Sequence, residues 1–441
     1  MSDSLIDDLL AGRWRDPETG AAVTVPLQSV AIAPSLAGQE ADLLKPLGLG
    51  RRLALVSDPT THDILGRRVE RALGSIADLQ RVALPDRPHA DDATVASIRA
   101  ATTGADALIA VGSGTINDLC KYAAFLDGKP YAVFGTAPSM NGYCSANAAI
   151  TVGGLKKSLA ARVPAGVFLD LSVLAAAPRR MIRSGLGDSL CRPTAQADWL
   201  LSHLLLGTPY REAPFALLAA DENALIEEAG ALIAGNAAAM TRLARTLVLS
   251  GLGMVICNGS YPASQGEHLV SHYVEMMQGE QLPETFHGEQ IGVTTLSLAR
   301  LQHRLLDGPP PVLRPTAIAA GDLKRHFGAE RGEACRREWD GKALDATKAE
   351  LLSARLAQDW DRIRARLQSV MRPVLALERA LVVTGAPRRA FDLGWSAVLY
   401  RTALIRARQT RNRYTALDLA GDAGLLEAFA TRESHSQPGA E

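Results

Sequence analysis

The chain has 441 residues, longer than one ordinary hydrophobic core supports, so two domains are expected. Hydrophobic residues make up 47% and charged residues 21%, and Lys plus Arg equal Asp plus Glu at 47 each, so no overall field draws the protein to nucleic acid or an anionic membrane. Its five cysteines, Cys120, Cys144, Cys191, Cys257 and Cys335, form no Cys-x-x-Cys pair and read as reduced thiols of a cytoplasmic protein. Asp3, Asp7 and Asp8 stand where a secretory signal carries basic residues. The apolar runs Ala216–Ala220 and Leu247–Ile256 are interrupted or too short for a spanning helix, so no membrane insertion is expected.

Residues 1–25, with Trp14 and Pro17, form an appended segment. From 26 to 180 short β-rich runs alternate with helical ones: strands at 52–58, 80–84, 107–111, 131–135 and 166–170, helices at 61–75, 91–102 and 117–126. That alternation predicts an α/β domain, a mainly parallel sheet covered on both faces. From 181 to 430 Ala, Leu and Arg dominate at helical spacing, notably from Trp339 to Leu377, and an all-α second domain is expected. Gly308-Pro309-Pro310-Pro311 is a loop inside it, and 431–441 is a polar, frayed tail.

Val111-Gly112-Ser113-Gly114-Thr115 joins an apolar run to a helical one. Glycines there let a backbone approach a pyrophosphate, and the first helical amides bind it; a simple tight connection is the alternative. Asp58 closes a predicted strand, where a carboxylate either accepts from an adenosine ribose or caps a helix. Asp188 in Gly185-Leu186-Gly187-Asp188, His268 and His287 are one carboxylate and two imidazoles, a donor set that leaves a divalent cation open positions. His272 shares a helical face with His268. Packed or surface histidines are the alternative for this pair. A metal together with a dinucleotide points to a dehydrogenase.

Gly112 through Lys121, Thr136-Ala137-Pro138-Ser139-Met140-Asn141-Gly142-Tyr143-Cys144-Ser145, Gly185 through Asp188, Gly266 through His272, His287-Gly288-Glu289-Gln290 and Arg413 through Leu419 resemble, in order, the motifs of sn-glycerol-1-phosphate dehydrogenases, within the iron-containing alcohol dehydrogenase and dehydroquinate synthase superfamily. The resemblance spans roughly residues 30 to 428. It implies a Rossmann-like N-terminal domain, a helical C-terminal domain, and a cation held by Asp188, His268 and His287, with zinc, nickel and iron all accepted by such ligands. It implies NAD(H) or NADP(H) on Gly112, Ser113, Gly114 and Thr115, with Asp118, Thr136, Ser139 and Ser145 also facing the cofactor. His272 becomes the proton relay and Asn141 a neighbour of the reacting hydroxyl.

The implied activity is reduction of dihydroxyacetone phosphate, or a related phosphorylated ketone, by a homo-oligomeric enzyme of phospholipid metabolism, with Lys157 and Arg192 as candidate phosphate holders. Asn141 replaces the family's usual aspartate, and Arg192-Pro193 replace a lysine and tyrosine. These departures bear on the substrate. A dehydroquinate-synthase-like cyclase and a non-catalytic metal- and nucleotide-binding protein are the rival readings; the first usually carries glutamate where this chain has Asp188.

Overall fold

The computed structural model describes residues 4–153, 155–316, 318 and 321–435. Among the described residues eight strands form: β1 (Ser29–Ala33), β2 (Arg52–Ser57), β3 (Asp78–Ala83), β4 (Ala107–Gly112), β5 (Tyr131–Gly135), β6 (Asn147–Val152), β7 (Leu155–Ala160) and β8 (Gly166–Asp170). Six of them make a sheet in the order β1-β8-β5-β4-β2-β3, with every neighbouring pair parallel. The residues of β4, β5 and β8 are buried throughout, which is why these strands read as unbroken apolar runs rather than as alternation. β6 and β7 form a separate antiparallel hairpin. The sequence reading missed that hairpin and β1, because all five β1 residues are only half-buried and the hairpin carries polar side chains.

The strand order places the loops after β2 and β4. The chain leaves β4 through the Gly114–Leu126 helix toward β5, whereas it leaves β2 through helical turns toward β3 on the other side. Because β2 and β4 are hydrogen-bonded neighbours, the loops at their C-terminal ends diverge and leave a crevice between them.

The chain does not divide at a single point near 180. One compact unit comprises Met1–Ser189 and Arg211–Ser260, the other Leu190–Tyr210 and Tyr261–Glu441. Segment 211–260 is helical, so composition assigned it to the helical domain, yet it packs with the sheet. Its helix Ala237–Ile256 has the length and composition to cross a membrane, against the expectation of runs too short, but 72% of its apolar window is buried in the fold.

The N-terminal segment is tied to that same stretch. Ile6 and Leu9 are buried, Arg211 donates to Asp16 at 2.5 Å and to the Ile256 carbonyl at 2.7 Å, and the Glu212 amide donates to Glu18 at 2.6 Å. In the second unit the Ala346–Gln368 helix buries Ala349, Leu352, Leu356, Trp360, Ile363 and Leu367 along one stripe, the periodicity the sequence showed. Residues 431–435, expected in the tail, belong to the Leu426–His435 helix, which buries Phe429 and Ala430; the rest of the expected tail lies outside the described residues. None of the five cysteines is joined in a disulfide.

Candidate active site

In the sheet unit, the glycine turn opens a helix as its sequence suggested. Ser113 is the extended N-cap of Gly114–Leu126 but makes no side-chain cap, so the first-turn amides keep their hydrogen-bonding capacity for an anion. Gly112 is required by close packing: a Cβ there would stand 2.6 Å from the Ile116 side chain. The Thr136 amide, at the end of neighbouring β5, donates to the Gly112 carbonyl at 3.1 Å. These residues fit a pyrophosphate.

Asp58 does what the alternative reading held. Its Oδ1 accepts from the Thr61 amide at 2.7 Å, and Thr61 Oγ1 accepts from the Asp58 amide at 3.1 Å, a reciprocal cap that starts a helix at Pro59. Asp118 and Ser145 make hydrogen bonds within the fold. Asp118 accepts from the Ala149 amide at 3.0 Å and lies 3.4 Å from Lys121 Nζ. Ser145 Oγ donates to the Gly142 and Asn147 carbonyls, each at 3.0 Å.

The 136–146 loop is braced from several sides. Lys121, fully buried, donates to the Gly142 carbonyl at 2.5 Å, the Asn147 carbonyl at 3.0 Å and Ser145 Oγ at 3.2 Å. Burial lowers its pKa below the usual lysine range, while Asp118 opposes the shift. Tyr143 donates its hydroxyl to the Ala137 carbonyl at 2.7 Å, and Ser184 Oγ donates to the Ser139 carbonyl at 2.9 Å. Gly185 explains how close the Arg179–Leu190 helix comes: a Cβ there would be 1.7 Å from the Pro138 carbonyl oxygen. One turn later Asp188, fully buried, accepts from the Asn141 amide at 2.8 Å. The Asn141 side-chain Nδ2 is buried with no hydrogen-bond partner, a donor suited to a substrate oxygen.

In the helical unit, His268 and His272 lie one turn apart on Gly266–Gln278, and His287 opens the helix His287–Leu306. Ser271 Oγ donates to Gln290 Oε1 at 2.6 Å and ties the two helices together. The rings of His268 and His287 are centred 5.2 Å apart, with a ligand-capable nitrogen of each within 4.8 Å of the other. His272, half-buried, stacks on His287 at 5.8 Å and 22°. Burial, with the charges of Arg413 and Arg411, pushes the His268 pKa down to about 3, so the imidazole is neutral and fit to ligate a cation.

Three residues that were not singled out from sequence hold this histidine in place. Asp198 Oδ2 accepts from the Gly266 amide at 3.1 Å, while Oδ1 accepts from Gln302 at 2.8 Å and the Ala416 amide at 3.0 Å. Glu267 accepts from the Gln265 amide and bonds His268 Nδ1, both at 2.8 Å. Arg413 donates to the Ser264 carbonyl and stacks 4.8 Å over the Tyr261 ring. Burial raises Glu267 and Asp198 to about 7. Arg413 and Glu267 stood inside quoted motifs, but nothing in their spacing distinguishes a bracing role from a solvated one.

Arg192 is buried in the first turn of Arg192–Leu206, and Pro193 beside it sits where a helix needs no amide donor, so the proline costs no hydrogen bond. Lys157 is exposed on β7, opposite Ile150, the placement of the solvated alternative.

A family model described as iron-containing alcohol dehydrogenase matches residues 31–178. The chain is 28% identical over 407 residues to the glycerol-1-phosphate dehydrogenase [NAD(P)+] of Bacillus licheniformis, covering 91% of this chain and 90% of that one. The enzyme of the same name from Thermococcus kodakarensis is 31% identical over 274 residues, 62% of this chain and 77% of that one. Among solved structures, glycerol dehydrogenase from Schizosaccharomyces pombe superposes with TM-score 0.60 at 15% identity, covering 94% of this chain and 92% of that one. A probable glycerol dehydrogenase from Sinorhizobium meliloti gives 0.58 at 20% identity, covering 92% and 97%. At such identities the structural likeness speaks for the fold alone.

Proposed function

Because the chain belongs to the glycerol-1-phosphate dehydrogenase family, within the iron-containing alcohol dehydrogenases, we propose that it interconverts dihydroxyacetone phosphate and sn-glycerol 1-phosphate, or a closely related phosphorylated polyol, using NAD(H) or NADP(H). The observation that carries this reading is the pairing of two imidazoles, buried His268 with its ring centred 5.2 Å from that of His287 and a ligand-capable nitrogen of each within 4.8 Å of the other. Asp188, His268 and His287 would hold one divalent cation, zinc first, with nickel and iron as candidates. When bound, the cation supplies Lewis-acid polarisation of the carbonyl and the nicotinamide supplies the hydride.

The chain's own residues supply binding and proton transfer. The uncapped turn at Ser113 receives the pyrophosphate through its amides. Asn141 donates from Nδ2 to the substrate oxygen, and His272, half-buried and next to both other rings, moves the proton. Arg192 is the stronger candidate for the phosphate, since its guanidinium is desolvated, whereas Lys157 is exposed. Free cysteines support a reducing, cytoplasmic setting. Exposed apolar side chains such as Leu375 and Val398 support self-association into a homo-oligomer.

The test is a panel of phosphorylated and free ketones and polyols with NADH and NADPH, with metal content measured on the same sample. One NADH consumed per ketone reduced is expected with dihydroxyacetone phosphate. A lyase of the cyclase kind would return its cofactor unchanged, and absence of net turnover with every phosphorylated substrate would refute the proposal.

A further inference from the structure

Side chains one residue apart on a helix point about 100° away from each other and do not ordinarily meet. Glu267 and His268 do meet. Glu267 stands in the first turn of Gly266–Gln278, where its Oε1 accepts from the amide of Gln265, just before the helix. That bond curls the carboxylate back along the helix start and sets Oε1 2.8 Å from His268 Nδ1. Gln265 is held in turn by its Nε2 donating to the Tyr261 carbonyl at 2.9 Å, and Asp198 fixes the Gly266 amide. A Cβ on Gly266 would come within 2.7 Å of that Asp198 oxygen, so only glycine admits the contact. The carboxylate is therefore placed by backbone, not by a mobile side chain.

Glu267 is fully buried, and its second oxygen, Oε2, is buried without a hydrogen-bond partner. An enclosed carboxylate with so few donors is costly unless a positive charge lies nearby to balance it. The Arg413 guanidinium supplies part of that balance, and a cation on the far side of the imidazole would add to it.

Resting on the metal reading above, we propose that Glu267 is the positioning residue of the metal centre: it holds the proton of His268 on Nδ1, presents Nε2 as the ligand atom, and strengthens that ligand through its negative charge. A ring nitrogen that donates to a carboxylate fixes both tautomer and orientation, and loss of such a partner weakens metal binding by roughly 10–100-fold. Cys191 stands close enough to compete for a different role, since its Sγ lies within 4.8 Å of a Glu267 oxygen and a His268 nitrogen, with the thiol directed to the Ala263 carbonyl at 3.6 Å. A cation bound directly by Cys191, Glu267 and His268 is the alternative that the experiment separates.

The experiment titrates metal-stripped wild type, E267Q, C191S and H287A with cobalt(II) and zinc(II) against a competing chelator, recording the cobalt ligand-field spectrum, the melting temperature and NADH affinity. Wild type is expected to bind one cobalt without a thiolate-to-cobalt band, and C191S to match it. E267Q should bind about 10–100-fold more weakly with displaced ligand-field bands, while its melting temperature and NADH affinity stay near wild type. On zinc-loaded wild type, histidine-labelled long-range proton–nitrogen correlation should show His268 protonated on Nδ1, which tests the proposal even if E267Q fails to fold. Unchanged affinity and spectrum in E267Q overturn the proposal, as does zinc on Nδ1, or a thiolate band that C191S removes. Failure of the metal reading itself looks different: wild type takes up no cobalt, or H287A binds it as wild type does.

Discussion

The sheet unit and the helical unit prepare for their ligands in opposite ways. Around Gly112–Thr115 the proposed binding groups are backbone amides, with the Ile116 and Met140 side chains packed against the glycines, while Lys121 braces the adjoining 136–146 loop. Around His268 the proposed binding groups are side chains, and the backbone nearby orients them, through Gln265 and Gly266. A site made of amides tolerates substitution wherever the loop path survives. A site made of two imidazoles fails when either is removed, and its precision rests on buried partners that a ligand never touches.

The sharpest way to break that comparison is at the imidazoles. His268→Ala and His287→Ala are each expected to abolish stoichiometric metal binding and, with Lewis-acid help worth several kcal/mol removed, to lower turnover by about 1000-fold or more, whereas His272→Ala keeps its metal and loses turnover. Metal analysis of the purified variants decides it, and normal content in either ligand variant would mean the helical unit is not built around these side chains.

On the sheet side the largest effect should come from a residue that never meets the ligand. Lys121→Met leaves the Gly142 and Asn147 carbonyls without their buried donor, with an expected loss of about 2–3 kcal/mol in denaturant unfolding. The KM for NADH should rise more than kcat falls, because the loop rather than the chemistry is disturbed. An unfolding midpoint equal to wild type would show that the loop does not depend on Lys121.

Asn141 belongs to both strategies, since its amide serves Asp188 while its side-chain Nδ2 is buried with no hydrogen-bond partner. Asn141→Asp places a negative charge beside Asp188, the proposed ligand, and with the family's usual substrate it should raise catalytic efficiency by about tenfold, or ~1.4 kcal/mol of barrier. Should the same change destroy a robust native activity, the asparagine is an adaptation to another phosphorylated ketone. The smallest effect is expected at Asp58. Asp58→Ala removes a helix cap, with a cost of about 1 kcal/mol measurable by chemical denaturation. The ratio of NADH to NADPH efficiency should change little, and a large swing would restore the ribose role to this carboxylate.

Much of the sheet was legible because buried parallel strands leave a local signature. β2, β4, β5 and β8 appear as apolar runs of the right length, and the glycines at 112 and 114 mark a strand-to-helix turn, although the side chains that pack against them, Ile116 and Met140, are seen only in the fold. The histidine spacing likewise put His268 and His272 on one helical face before any fold was known. Local pattern could not assign the helices of 211–260 to the sheet unit, since a helical stripe states that it is buried but not against what. Nor could it show that Asp58 caps a helix, that Asp118 and Ser145 are engaged by Lys121 and its loop, or that Glu267 reaches the ring beside it. Each of these depends on which backbone group lies within about 3 Å of a carboxylate, hydroxyl or ammonium. Thr61, Lys121 and His268 are near in sequence to Asp58, Asp118 and Glu267, and the loop carbonyls that Lys121 holds lie 21 to 26 residues away, but in each case the bond depends on a rotamer and a backbone path that packing fixes, so only the tertiary structure could decide it.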